Sequence, residues 1–119
     1  MTLRPVDQLI DHAIDSVEQC RILVTMQTSA RRWWTAQELG RELRLPIAST
    51  VRNLERLATR GLLEVRLADD MAYLVSPVSP QLAEGLEQLA ELYRTRRGGL
   101  FSRIARASAS SRSSARPRR

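Results

Sequence analysis

Residues 35–75 constrain this chain most, because they read in order as a capped helix, a short turn, a second helix and a two-stranded ribbon. Thr35-Ala36-Gln37-Glu38 is a capping-box pattern, in which the threonine hydroxyl and the glutamate carboxylate each satisfy a backbone donor left open at a helix start. Leu39 and Leu43 follow at i, i+4 spacing. That helix must end near Arg44, because Pro46 disfavours helical geometry in the residue before it, and the turn is expected at 45–47. Over 48–60 a helical projection gathers Val51, Leu54, Leu57 and Ala58 on one face, with Ser49, Arg52, Asn53, Arg56 and Arg60 roughly opposite. One face is core and the other carries hydrogen-bond donors. Gly61 suits a helix C-cap, 62–67 alternates loosely, and Ala68-Asp69-Asp70-Met71 turns the chain into a second strand at 72–75.

The segment TAQELGREL-RLP-IASTVRNLERLATRGLLEVR resembles the DNA-reading half of bacterial winged-helix regulators of the MarR and related types, at the level of a superfamily rather than of one regulator. The resemblance implies a mainly α fold with a small β-hairpin wing, that is, a winged helix-turn-helix with flanking N- and C-terminal helices. In such regulators the second helix of the pair enters the major groove, which carries base-contacting roles onto Ser49, Arg52, Asn53 and Arg56. Arg52 and Arg56 suit guanine O6 and N7, Asn53 suits adenine, and Ser49 and Arg60 suit phosphates, with Thr50 completing the DNA-binding set. One departure stands out. The tip of the ribbon carries Asp69 and Asp70, where a wing lying on DNA usually presents Arg, Lys or Gly, and two carboxylates near phosphates are repelled.

Two amphipathic segments flank this unit. Pro5 suits a first helical position, and Val6, Ile10, Ala13, Val17, Cys20 and Val24 form one stripe of a single helix expected to run to about 27. Asp7, Asp11, Asp15 and Glu18 form an acidic stripe beside it, which is either a solvated face or a receiver for a basic partner such as the chain's own arginine tail. Ser79 or Pro80 opens the last helix, with Leu82, Leu86, Leu89, Ala90 and Tyr93 on one face to about 97. Helices over 6–27 and 80–97 bracket the central unit in the manner of a homodimer interface, or else complete a monomeric core.

Charge divides the chain. Its net +6 conceals a region 1–93 with 10 Arg and 13 acids, and a region 94–119 with 9 Arg and no acid. All 19 basic residues are Arg, which bidentate phosphate or guanine recognition and a GC-rich coding bias explain equally. The expected organisation is one domain over 1–97 and a largely disordered Arg/Ser-rich tail over 98–119. Gly98-Gly99 should break the preceding helix, and Leu100, Phe101 and Ile104 should form a short helix packed on the domain or a partner. Arg112, Arg116, Arg118 and Arg119 are the candidates for nonspecific phosphate contacts, against a solvating role for the tail.

The remaining signals are mostly negative. No stretch approaches the roughly 20 apolar residues of a membrane span, and acids interrupt the only apolar N-terminal run, so no signal peptide or membrane contact is expected. The expected location is cytoplasmic, at the nucleoid. A single Cys20, on the apolar stripe, fits buried packing better than redox sensing, and the lone His12 projects away from that stripe without partners at metal-ligand spacing. Trp33 and Trp34 precede the capped helix and read as a wedge between the first helix and the central unit, or as the wall of a small-ligand pocket. Neither a catalytic set nor a glycine-rich phosphate loop exists, so the sequence reads as no enzyme, with no cofactor and no metal. Two binding functions remain. One is a dimeric transcriptional regulator reading double-stranded DNA through 48–60; the other is a protein-binding adaptor or nucleoid protein tethered to nucleic acid by its tail.

Overall fold

The chain begins with a proline-started helix, α1 (Pro5–His12), whose Arg4 N–H donates to the Asp7 carboxylate at 3.2 Å, the usual acidic cap of a first turn. The computed structural model describes residues 4–29 and 32–115, with side chains through Ser108. A second helix, α2 (Val17–Thr28), follows a break that the apolar stripe gave no reason to expect. Ser16 caps it by accepting from the Gln19 N–H at 3.2 Å, and the Gln19 side chain accepts from the Asp15 N–H at 2.8 Å. The single helix expected over 6–27 is therefore corrected to two, because local capping at 15–19 outcompetes continuation of the periodic stripe. The stripe itself remains inward: Val6, Ile10, Ala13, Cys20 and Val24 are all buried.

The central unit follows as β1 (Trp34–Thr35), α3 (Ala36–Leu43), α4 (Ile47–Thr59), β2 (Leu63–Leu67) and β3 (Met71–Val75). The capping box forms as read: Glu38 N–H donates to the Thr35 hydroxyl at 3.1 Å, and Thr35 N–H donates to the Glu38 carboxylate at 2.9 Å. Helix α3 closes through Arg44 in the left-handed region at φ 58°, a residue early for the expected turn, with Leu45 N–H donating to the Gly40 carbonyl at 2.9 Å. Gly40 lets the turn approach closely, since a Cβ on it would sit 3.0 Å from the Leu45 carbonyl oxygen and push the turn aside by a few tenths of an ångström. The three strands form an antiparallel sheet in the order β1-β3-β2, with Trp34 opposite Tyr73 and Val65 opposite Tyr73 on the other side. Strand β1 escaped the sequence reading because two residues carry no periodicity.

Helix α5 (Pro80–Thr95) starts as expected, with the Ser79 hydroxyl accepting from Leu82 N–H at 3.1 Å. It lies against α1, and its Gln88 side chain accepts the Val6 N–H at 3.0 Å, satisfying an open donor of the α1 first turn. The apolar faces of α1, α2 and α5 thus meet one another inside one chain. The reason for expecting them at a dimer interface disappears.

The C-terminal segment differs most from expectation. The break falls at Arg96, and α6 (Arg97–Ala115) takes Gly98 and Gly99 into its first turn. Leu100 and Ile104 are buried in the same core as Leu9, Leu23 and Leu89, and Phe101 meets Tyr93 edge to face at 5.8 Å. A domain boundary at 97 therefore cuts through the core. The helix continues over residues assigned to a disordered tail, since Ala, Arg and Ser tolerate helical geometry once Leu100 and Ile104 anchor its start. Of the tail arginines, the Arg112 side chain and Arg116, Arg118 and Arg119 lie outside the described residues. The fold is mainly helical with a small antiparallel sheet, an α+β arrangement, and no described helix is long and apolar enough to cross a membrane.

Candidate nucleic-acid interface

Helix α4 starts at Ile47 behind Pro46, which contributes no side-chain cap, so the two hydroxyls of the first turn bend back instead. Ser49 Oγ donates to the Pro46 carbonyl at 3.1 Å and Thr50 Oγ1 donates to the same oxygen at 2.9 Å. Thr50 is 0% exposed. Its place in the DNA-binding set is corrected: it faces the α3–α4 turn, near Gly40, and stabilises that turn. The inward face otherwise holds as read, with Leu54 and Leu57 fully buried and Val51 and Ala58 partly so.

The outward face divides into two parts. Toward the N-terminus, Ala48 and Arg52 are exposed, and Arg52 makes no ion pair among the described residues. Toward the C-terminus every donor is engaged by the α1–α2 junction. Arg56 reaches one Asp15 oxygen at 2.6 Å, Arg60 reaches the other at 2.9 Å, and Arg60 also donates to the Ala13 carbonyl at 3.1 Å. Asn53 donates to the Glu18 carboxylate at 3.0 Å and accepts from the Gln19 amide at 3.1 Å. Gln19 is 1% exposed, so this amide chain is anchored in the interior.

The electrostatics follow from this geometry. Partial burial pushes the Asp15 carboxyl up, but the Arg60 and Arg56 guanidiniums outweigh it and hold the group below its ordinary value. At the far end of the acidic stripe, the hydrogen bond from Arg103 of α6 lowers Asp7, and a second Arg103 nitrogen lies 3.8 Å from Asp11. The acidic stripe is thus neither fully solvated nor reserved for another molecule. Half of it clamps α4 and half docks an arginine from the segment assigned to the tail. Between them an open cleft of about 460 Å³ is lined by Ile10, Asp11, Asp15, Arg52, Asn53 and Arg56, and bordered by Ala107 and Ser108 of α6.

The other candidates resolve simply. Trp34 is buried in the core, whereas Trp33 is half-buried beneath the Arg66 guanidinium, 4.3 Å from its ring. One tryptophan wedges and the other does not. Cys20 is fully buried, and that burial pushes its thiol up to about 12, which keeps it protonated at neutral pH and fits packing rather than redox chemistry. Asp69 and Asp70 form the exposed hairpin tip, bridged by Ala68 N–H donating to the Asp70 carbonyl at 3.3 Å. Sequence reasoning missed Gln19. Its signal was Ser16-Val17-Glu18-Gln19, itself a capping-box spacing, hidden inside a continuous apolar stripe.

Compared with known proteins, the chain matches no family model, no curated protein and no solved structure.

Proposed function

We propose that this protein is a winged helix-turn-helix DNA-binding protein, with α4 as the reading helix, β2 and β3 as the wing, and a transcriptional role. The observation that carries this reading is the single outward ridge of Ser49, Arg52, Asn53 and Arg56 on a helix packed against α3, its first turn fixed by Thr50 donating to the Pro46 carbonyl. These side chains carry the kinds of donor that major-groove edges and flanking phosphates accept. Ser49 donates to Pro46, and Asn53 and Arg56 are held by the α1–α2 junction, which leaves Arg52 as the member without an ion pair or hydrogen bond among the described residues. Exposed apolar anchors, the usual mark of a protein-binding helix, are confined to Ile47 at its first residue.

The same geometry sets the resting affinity. Glu18 holds Asn53, and Asp15 holds Arg56 together with Arg60 beyond the ridge, so duplex DNA competes with these carboxylates for the three side chains. Arg52 makes first contact. The adaptor reading is favoured by one observation, the acidic hairpin tip, which a phosphate backbone repels. Selection of bound duplexes from a randomised pool with the full chain separates the two. Enrichment of one motif that is lost in Arg52→Ala supports DNA reading. Retention without any preferred sequence, unchanged in that variant, supports the tethered adaptor.

A further inference from the structure

Strand β2 is the outer edge of the sheet, and four of its five residues are exposed, with Val65 at 45% and Leu67 at 74%. Edge strands in stable monomers are usually blunted by proline, a bulge or charged side chains; Leu63-Glu64-Val65-Arg66-Leu67 has no proline and pairs with β3 without a bulge, and its two charges are of opposite sign and alternate with apolar residues. The phase of the ladder shows which backbone groups are free. Ser76 N–H donates to the Leu62 carbonyl at 3.0 Å and Ala68 N–H donates to the Asp70 carbonyl at 3.3 Å, so even-numbered residues of β2 turn their backbone toward β3. Leu63, Val65 and Leu67 turn theirs outward.

We propose that this edge pairs with the same edge of a second copy, antiparallel about Val65, joining two three-stranded sheets into one. The strand is complementary to itself in that register. Val65 faces Val65 of the second copy and Leu63 faces Leu67, so the outward backbone groups of those residues exchange hydrogen bonds across the join. Glu64 then stands opposite Arg66 at both non-hydrogen-bonded positions, where side chains approach most closely and opposite charges stabilise, the pairs forming in place of the Arg66 contact with Trp33 and the Glu64 hydrogen bond from Ser76. The exposed Val65 and Leu67 side chains cover one another on the opposite face. A shift by one residue would set outward backbone groups against groups already bonded to β3, and a shift by two would set Glu64 against Glu64 or Arg66 against Arg66, so the sequence selects one register. This interface differs from the helices over 6–27 and 80–97 and does not depend on what α4 binds. Because one strand pair buries little area, the dimer is a concentration-dependent one.

Sedimentation velocity of the full chain over a concentration series tests the proposal. Wild type should shift from the mass of one chain to twice that mass. Val65→Pro should stay at one chain mass with an unchanged far-ultraviolet spectrum, since its N–H points away from β3 and its loss spares the existing ladder. Glu64→Arg and Arg66→Glu should each remain monomeric through like-charge pairs, and an equimolar mixture of the two should recover the doubled mass. The exchanged double variant should also dimerise. A wild type that stays monomeric throughout the series overturns the proposal, and so does a dimer that survives Glu64→Arg or a mixture that fails to associate while both variants are folded.

Discussion

The two ends of the outward face of α4 carry the same kinds of donor and differ in what lies across from them. Toward the leading end Arg52 faces solvent; the adjacent Asn53, and Arg56 and Arg60 over the next two turns, are held by Glu18, Gln19 and Asp15. A donor-rich helical face is therefore no measure of available donors. What decides availability is whether a distant segment, here the α1–α2 junction, brings acceptors within reach. The leading end is free to meet a ligand first, and the trailing end is a held reserve.

The strongest way to break the comparison is to remove the support common to both ends. Leu54→Ala, at a fully buried position between them, should cost about 2–5 kcal/mol in chemical denaturation and abolish any binding at both ends together. A loss below about 1 kcal/mol would mean that α4 is not anchored as described.

A paired substitution sharpens the contrast. Asn53→Ala leaves the buried Gln19 amide without its acceptor and should cost about 1–3 kcal/mol, whereas its neighbour Arg52→Ala should stay within about 0.5 kcal/mol of wild type. Equal effects in thermal unfolding would erase the distinction between a free and a held end.

The leading end is also posed by backbone strain. Arg44 adopts φ 58° with a full side chain, so Arg44→Gly should stabilise the fold by about 0.5–1 kcal/mol, read as a higher denaturation midpoint. A lower midpoint would show that the arginine side chain contributes more than its backbone costs.

These contacts explain what was legible in the sequence and what was not. The Thr35 and Glu38 cap, the stop before Pro46, the Ser79 cap and the inward faces of α3, α4 and α5 depend on residues within one or two turns, and pattern reading recovers them. The α1–α2 break also had a local signal, in Ser16 and Gln19, but the apolar stripe ran through it and masked it. The clamp had no local signal. Asp15 and Arg56 are 41 residues apart, and nothing in i, i+4 spacing says which of several acids will meet which of several arginines. The path of α6 is a similar case, since Leu100 and Ile104 announce burial without saying that the following Ala/Ser/Arg stretch stays helical.

The smallest expected effect concerns pH. Asp15 is held below its ordinary 3.8, so the clamp's contribution is complete above that value and is lost only as pH falls through the lower folded one. Between about pH 5 and 8 the difference in stability between wild type and Asp15→Asn should therefore be flat. A slope in that window would assign the clamp to a different titrating group.

The most direct test of the clamp is the affinity of wild type and Asp15→Asn for one duplex, measured side by side by fluorescence anisotropy at low salt with the full chain. Neutralising Asp15 removes the carboxylate from Arg56 and Arg60 without removing its volume. For a partly exposed pair, binding should tighten roughly threefold to tenfold, with a steeper loss on adding salt as two more guanidiniums reach phosphate. Unchanged or weaker binding in a folded Asp15→Asn would contradict the account, because α4 would then not be the surface that Asp15 withholds from DNA.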